Sequence, residues 1–391
     1  MTAAMVLTTT DVFERIDALV PRVAERAAEA ERLRRLPDAT IADIEDDDLF
    51  RLIVPTSLGG HGLDVGTLVN ATRRLAHGCV STAWTASFLV MHNWLLTRFP
   101  EEAVAEFFGG DRPWALAATP LAPTGTFRPD GDDHLLTGGW EWATGIHHAD
   151  WVVVHAVNPE VEFSNRFFAV PADEVTIDDV WHTSGMRGTG SNLVRLEGHR
   201  VPGRRSVGAL DFIGEGRPID GDALAGLPMA PVLALLAAAP AVGAAEEVVE
   251  QYRRRIKERV LAYSPGDRAV DQPAAQMRLA AVMSELSVAR LQWDAAVAEV
   301  DEAAASGRRL TIERRGALRL AASDTVRRCR GVINDVALGA GASVYFEDAP
   351  FQRHQRDVEM LKGHVIFDWD RTTELAGRIA LGLQPGLADM V

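Results

Sequence analysis

The chain has 391 residues, 47% of them hydrophobic and 24% charged, an ordinary globular composition long enough for one large core or two to three linked ones. Its 40 basic residues face 55 acidic ones, a formal net charge of −15, so no positive field exists to gather phosphate backbones and nucleic acid is excluded as a partner. Cys79 and Cys329, the only two cysteines, are too few for a disulfide scaffold or a cysteine-rich metal site and suit a reducing cytoplasm, and the start MTAAMVLTTTDVFER lacks the features of a signal peptide.

From Asp11 the sequence follows a helical period: Phe13, Ile16, Val20, Val23 and Ala27 share one face, Asp11 can cap, and Pro37 stops the helix. A short helix over 40–49 leads into LIVPTSLGGHGLD, whose proline and glycines mark a loop. A helix over 65–76 follows, then a long apolar one over 81–99 that carries Trp84, His92 and Trp94. After Gly110 the character changes. WALAATP, HLLTGGWEWA, DWVVVHAV, RFFAVP, VTIDDVW and NLVRLEGHRVP are short runs rich in β-branched and aromatic residues, separated by turn signals such as PDGDD, as in an antiparallel sheet or barrel. Beyond the linker FIGEGRPIDGD long helices return, over 222–262, 272–305, 310–338 and 356–383. Pairs such as Glu285/Leu286 and Val288/Leu291 fall where an antiparallel bundle needs them. The apolar run 224–245 contains Pro228, Pro231 and Pro240 and many alanines, which reads as a buried helix kinked near its start and not as a membrane span. The expected fold class is therefore α+β, mainly α: an N-terminal helical domain (1–113), a central β-barrel domain (114–215) and a C-terminal four-helix bundle (216–391).

Metal motifs such as H-E-x-x-H or C-x-x-C are missing, and His147/His148 would point to opposite sides if they lay on a strand, so no metal is expected. No P-loop is present, and MRGTGS (186–191) sits between strands and not in a βαβ unit, which excludes a Rossmann domain. G-x-S-x-G is missing as well. What remains is a concentration of flat side chains and small hydrogen-bonding groups in GGWEWATGIHHADW (138–151). A Trp in a strand is more often sheet packing than a binding wall, which suits Trp140 and Trp151. The functional reading is that Trp142 and Thr144 border a planar ring system, with backbone N–H groups around Gly145 meeting its polar edge.

Together with the element order, the tracts GGWEWATGIHHADW, WHTSGMRGTGSNLVRLEGHRVP and PFQRHQRDVEMLKGHVIFDWD resemble the acyl-CoA dehydrogenase fold over residues 10–385. Within it they most resemble the two-component flavin-dependent monooxygenases, the group D enzymes, which take reduced flavin from a separate reductase. The resemblance implies a homotetramer, reduced FMN or FAD as cofactor, an NAD(P)H-dependent flavin reductase as partner, and O2 with a small molecule as substrates. It implies hydroxylation or N-oxygenation of an aromatic, polyketide-like or amino-sugar compound by way of a flavin C4a-hydroperoxide. True acyl-CoA dehydrogenases need a carboxylate base. After Arg356-Asp357 the corresponding place holds Gly363, His364 and Val365, and no carboxylate occurs between Asp222 and Glu246, the other known position.

By the same resemblance His364 acts on the peroxide or the substrate, Thr144 holds the flavin N5 proton, Trp84 and His92 line the pocket, and Thr119 faces the flavin from a strand end. Arg259 and Gln272, from a neighbouring subunit, would meet the phosphate or adenine end, and Gly339 and Gly341 would let backbone approach the cofactor. The Phe-Gly that usually follows the arginine is absent from ERVLAYSPGDRAVDQP, which favours FMN slightly. Arg187 either bonds a ligand or braces the loop of MRGTGS. Two other functions stay open at this point: an acyl-CoA dehydrogenase-like flavin dehydrogenase or oxidase with a relocated base, and a flavin-free assembly or binding protein.

Overall fold

The computed structural model describes residues 6–261, 266–386, 389 and 391, so residues 1–5 and part of the tract after Arg259 lie outside the described residues. The chain opens with α1 (Thr9–Leu33), α2 (Asp38–Asp46), α3 (Val65–Leu75), α4 (Val80–Leu96) and α5 (Glu101–Phe108). Asp11 is not the cap of α1 but its third residue. Thr8 caps the helix and Asp11 returns a hydrogen bond to the Thr8 N–H, closing a capping box. The helix ends at Arg34 in a left-handed conformation, and Pro37 starts α2 instead of stopping α1. All seventeen residues of α4 are buried, because other elements cover every side of it.

The central region holds β1 (Ala117–Ala118), β2 (Gly125–Asp130), β3 (Asp133–Ala143), β4 (Trp151–Val157), β5 (Asn165–Pro171), β6 (Thr176–Asp178), β7 (Asn192–Val201) and β8 (Ser206–Gly208). They form one eight-stranded sheet in the order β6-β7-β3-β2-β4-β5-β8, with β1 beside β4. Most pairs are antiparallel, but β1 and β2 both run parallel to β4. Inside it Leu136, Trp140, Val152, Val154, Phe168 and Val194 form a core separate from the helical one. Trp140 is fully buried and donates its indole N–H to the His155 carbonyl at 2.7 Å, while Trp151 packs edge-on against Phe107.

The remaining elements are α6 (Ala209–Ile213), α7 (Met229–Glu258), α8 (Pro273–Ser306), α9 (Ile312–Ala340), α10 (Pro350–Leu361) and α11 (Trp369–Ala380). The helix expected from residue 222 begins at Met229, with Pro228 as its cap and Pro231 in the first turn where a missing N–H costs nothing. α7 is long and apolar enough to cross a membrane, yet 89% of its most apolar window is buried inside the protein. The single helix expected over 356–383 is two, α10 and α11, joined by a short 3-10 turn at Val365–Phe367. Val288 and Leu291, expected inside the bundle, are exposed, whereas Leu286 is buried.

Candidate active site

The buried helix α4 carries a ladder of rings at four-residue steps, the spacing that stacks side chains on one face. Trp84 meets Phe88 with ring centroids 4.7 Å apart, and Phe88 meets His92 edge-on at 5.6 Å. His364 closes the other end, edge-on to Trp84 at 5.4 Å. His92 and His364 thus stand at opposite ends of one aromatic wall, although 272 positions separate them in the chain.

Their hydrogen bonds assign different tautomers. His92 Nδ1 lies 2.6 Å from the Ala117 carbonyl, which can only accept, so that nitrogen carries the proton and Nε2 keeps a free lone pair. His364 is not on an amphipathic helix but caps the 3-10 turn. Its Nδ1 accepts the Ile366 N–H at 3.3 Å, which puts the proton of the neutral ring on Nε2. Burial pulls His92 down to about 4 against the opposing bond to Ala117. The half-buried His364 falls to about 4 for the same reason, with the Arg319 charge adding to it. Both rings are neutral near pH 7.

Thr119 stands two residues beyond the carbonyl that anchors His92, its hydroxyl buried without a partner. Thr144 sits in the turn after β3. Its hydroxyl pairs with Ser191 Oγ at 2.9 Å, and Gly145 donates its N–H to the Thr189 carbonyl at 3.0 Å. A side chain at Gly145 would press on Thr85 and Leu89, so the turn lies directly against α4, and its φ of +73° suits glycine. Trp142 projects outward, 60% exposed, from a left-handed backbone at φ +67°. A buried orphan hydroxyl, a hydroxyl-bearing turn and an outstanding indole beside an aromatic wall fit a flat heteroaromatic cofactor with a polar edge.

Arg259, Gln272, Gly339 and Gly341 form a second group at the end of the bundle. Arg259 ends α7 and Gln272 caps α8, linked through Ala269, whose N–H binds the Arg259 carbonyl and whose carbonyl accepts from Gln272. The Arg259 guanidinium points at the carbonyls of Gly339 and Ala340, and a side chain at Gly341, where φ is +80°, would collide with it. Arg255 donates to the Ala340 carbonyl at 2.7 Å, so two cations gather at the negative end of α9. Among the described residues no hydrogen bond or ring contact joins this group to the α4 wall.

Neither histidine of the 147/148 pair lies on a strand. They form a 3-10 turn, His148 facing the Leu36 carbonyl and His147 the Asn192 amide. Arg187 donates to the carbonyls of Glu31 and Thr183 and so braces its loop. Sequence reasoning missed Phe88, Thr189, Ser191 and Asp357. The hydroxyls of MRGTGS were visible beside its glycines, but not their partner 47 positions earlier. Asp357, buried and thereby raised in pKa, accepts the Met186 N–H at 2.6 Å and the Ser81 hydroxyl at 3.2 Å. Two surface hollows, along 157–165 and between α5 and 217–219, contain none of these residues.

The carboxylate on α7 that ends the base-free stretch after Asp222 is committed elsewhere. Glu246 on α7 binds Arg73, His77 and Arg290. Burial would raise it, but the His77 hydrogen bond and the two arginine charges outweigh that and hold it low.

Residues 15–108 match the acyl-CoA dehydrogenase N-terminal domain and residues 235–369 the acyl-CoA dehydrogenase C-terminal domain. The chain is 32% identical over 382 residues to the flavin-dependent monooxygenase oxygenase subunit HsaA of Mycobacterium tuberculosis, covering 96% of each. It is 30% identical to the FADH2-dependent resorcinol hydroxylase oxygenase component of a Rhizobium species, covering 92% of this chain and 91% of that one. The structure of XiaF from a Streptomyces species, in complex with FADH2 and glycerol, superposes with a TM-score of 0.91 at 29% identity over 97% of both chains. With the wall on α4, the two neutral histidines and a carboxylate that is spoken for, the chain belongs to the two-component, reduced-flavin-dependent monooxygenases of the acyl-CoA dehydrogenase fold, as their oxygenase component.

Proposed function

We propose that this oxygenase component hydroxylates a small phenolic substrate with O2 and a reduced flavin delivered by a separate reductase. The observation that carries the substrate class is the pair of neutral imidazoles of opposite tautomer at the two ends of the aromatic wall. HsaA, the resorcinol hydroxylase and the p-hydroxyphenylacetate 3-hydroxylase of Acinetobacter baumannii support it as relatives.

When bound, the reduced flavin supplies two electrons to O2, so that one oxygen atom enters the aromatic ring and the other leaves as water. Trp84 and Phe88 hold the substrate ring by edge and face contact. His92 Nε2 accepts the phenol O–H. A ring of pKa about 4 is too weak a base to take a proton from a phenol near 10, so His92 orients and polarises that bond without removing its proton. His364 Nε2–H donates to oxygen from the opposite end. Thr144, Thr119 and Trp142 would hold the flavin, the two hydroxyls at its polar groups, and the buried α4 would keep water away. The arginines at the end of α9 suit a phosphate, and the FADH2-dependent resorcinol hydroxylase and the XiaF complex with FADH2 support FAD over FMN. The reading includes work in the cytoplasm, where the buried thiols of Cys79 and Cys329 stay reduced.

The test mixes the protein with photoreduced FAD, then with oxygenated buffer containing simple phenols. Incorporation of one 18O atom into product supports the reading. Stoichiometric hydrogen peroxide with every phenol and no product would sink it. His364→Asn should lower product at least about tenfold, as for loss of a positioned proton donor, while reduced-flavin affinity changes little. Equal loss of both would put His364 in cofactor binding.

A further inference from the structure

Three hydroxyls behind the flavin edge form a chain whose direction is fixed by proton counting. Thr189 Oγ1 donates to the Met186 carbonyl at 2.9 Å. Thr189 Oγ1 and Ser191 Oγ are 2.7 Å apart, and Ser191 Oγ and Thr144 Oγ1 2.9 Å apart. Each hydroxyl carries one proton, and a carbonyl can only accept. With the Thr189 proton on Met186, the Ser191 proton must lie toward Thr189 and the Thr144 proton toward Ser191. The reverse order would leave Thr189 Oγ1 and the Met186 carbonyl oxygen facing each other at 2.9 Å with no proton between them.

The terminal carbonyl cannot move to permit that reversal. The Met186 N–H is held by Asp357 at 2.6 Å, its carbonyl also receives the Trp181 indole N–H at 3.0 Å, and its backbone is left-handed at φ +52°. Thr189 and Ser191 are 2% and 3% exposed, so water cannot supply another proton.

We infer that Ser191 and Thr189 are positioning residues that turn the Thr144 hydroxyl into an acceptor, giving the site a built-in preference for reduced over oxidised flavin. Reduced flavin carries a proton on N5 and can donate it to Thr144, whereas oxidised flavin offers a lone pair there and meets another. The inference rests on the reading that Thr144 faces N5. It adds that a residue out of reach of the cofactor sets the sign of that contact.

Anaerobic titrations with reduced FAD and aerobic ones with oxidised FAD give the ratio of the two Kd values for wild type, Thr144→Val, Thr189→Val and Ser191→Ala. Wild type should favour reduced FAD. Thr189→Val keeps the side-chain shape but frees the Ser191 proton to turn toward Thr144. It should cut the ratio about three- to tenfold, the worth of one hydrogen bond, mainly by tightening oxidised FAD. Ser191→Ala should cut it as well, and Ser191→Thr, which keeps the hydroxyl, should restore it. If Thr144→Val lowers the ratio while Thr189→Val and Ser191→Ala leave it at the wild-type value, the relay is wrong and the N5 contact stands. An unchanged ratio in Thr144→Val removes the N5 contact and the relay with it. Melting curves identify a variant that does not fold, and the near-isosteric Thr189→Val then decides.

Discussion

His92 illustrates how one buried polar side chain couples stability to pH. Unfolded, its imidazole takes a proton near 6.5, but folded it does so only near 4. Between those values the unfolded chain binds more protons, so its contribution to stability is complete above about pH 6.5 and is lost as the pH falls toward 4. The expected loss is at most about 3–4 kcal/mol, from a fall of about 2.5 in the imidazole pKa. Urea melts of wild type and His92→Gln at a series of pH values check this: the variant should lack that share of the acid slope, and parallel curves would contradict it. The imidazoles at 92 and 364 were legible in the sequence only through family resemblance, whereas Thr144 stood out in its own tract of flat side chains and small hydrogen-bonding groups. Periodicity could not single out His92, because every face of α4 is buried and no polar stripe distinguishes one side from another. The role of Ser191 was not legible, since it depends on a partner 47 positions away that β3 and β7 bring to it.

At the scale of elements, the β2–β3 hairpin is built around a single indole. Gly125 and Gly138 lie against Trp140, and a Cβ at Gly125 would sit 2.1 Å from the indole Cζ2, far inside contact distance. Trp140 cannot yield, since its ring is fully buried and its N–H is fixed on the His155 carbonyl. Gly125→Ala should therefore lower stability by about 1–3 kcal/mol, the usual range for overpacking a filled core. A reduced thermal midpoint with full β content by circular dichroism after cooling is the expected result, and an unchanged midpoint would show that the indole can shift. Strands of this kind were readable because alternation and turn residues such as PDGDD are local signals. The break between α10 and α11 was not, because KGHVIFDWD keeps a helix-compatible composition. The chain turns there because His364 and Asp368 cap successive short segments with their own side chains.

For the whole molecule, α7 is the axis: it packs on α3, α4, α8, α9 and α10 and is buried along most of its length. Glu246 ties this axis to α3 through Arg73, to the turn that follows α3 through His77, and to α8 through Arg290. With α7 so covered, the apolar residues left over on α8 stand out. Met277, Val288 and Leu291 fall on one helical face and are exposed, the first and last by 71% and 68%, and Leu338 on α9 is exposed by 78%. A bundle reading places Val288 and Leu291 inside, and their outward position is what a second copy of the chain would explain. This agrees with the homotetramer that the resemblance implies, in which the start of α8, capped by Gln272 beside Arg259, would meet a neighbour. Met277→Glu with Leu291→Glu should convert the assembly to smaller species in sedimentation velocity, and should weaken reduced FAD binding severalfold because the Arg259 corner would lose its place. Leu210→Glu, at an equally exposed apolar residue on α6, should do neither. A wild-type protein that sediments as a monomer would remove the assembly, while dissociation with undiminished FAD affinity would confine the flavin site to a single chain.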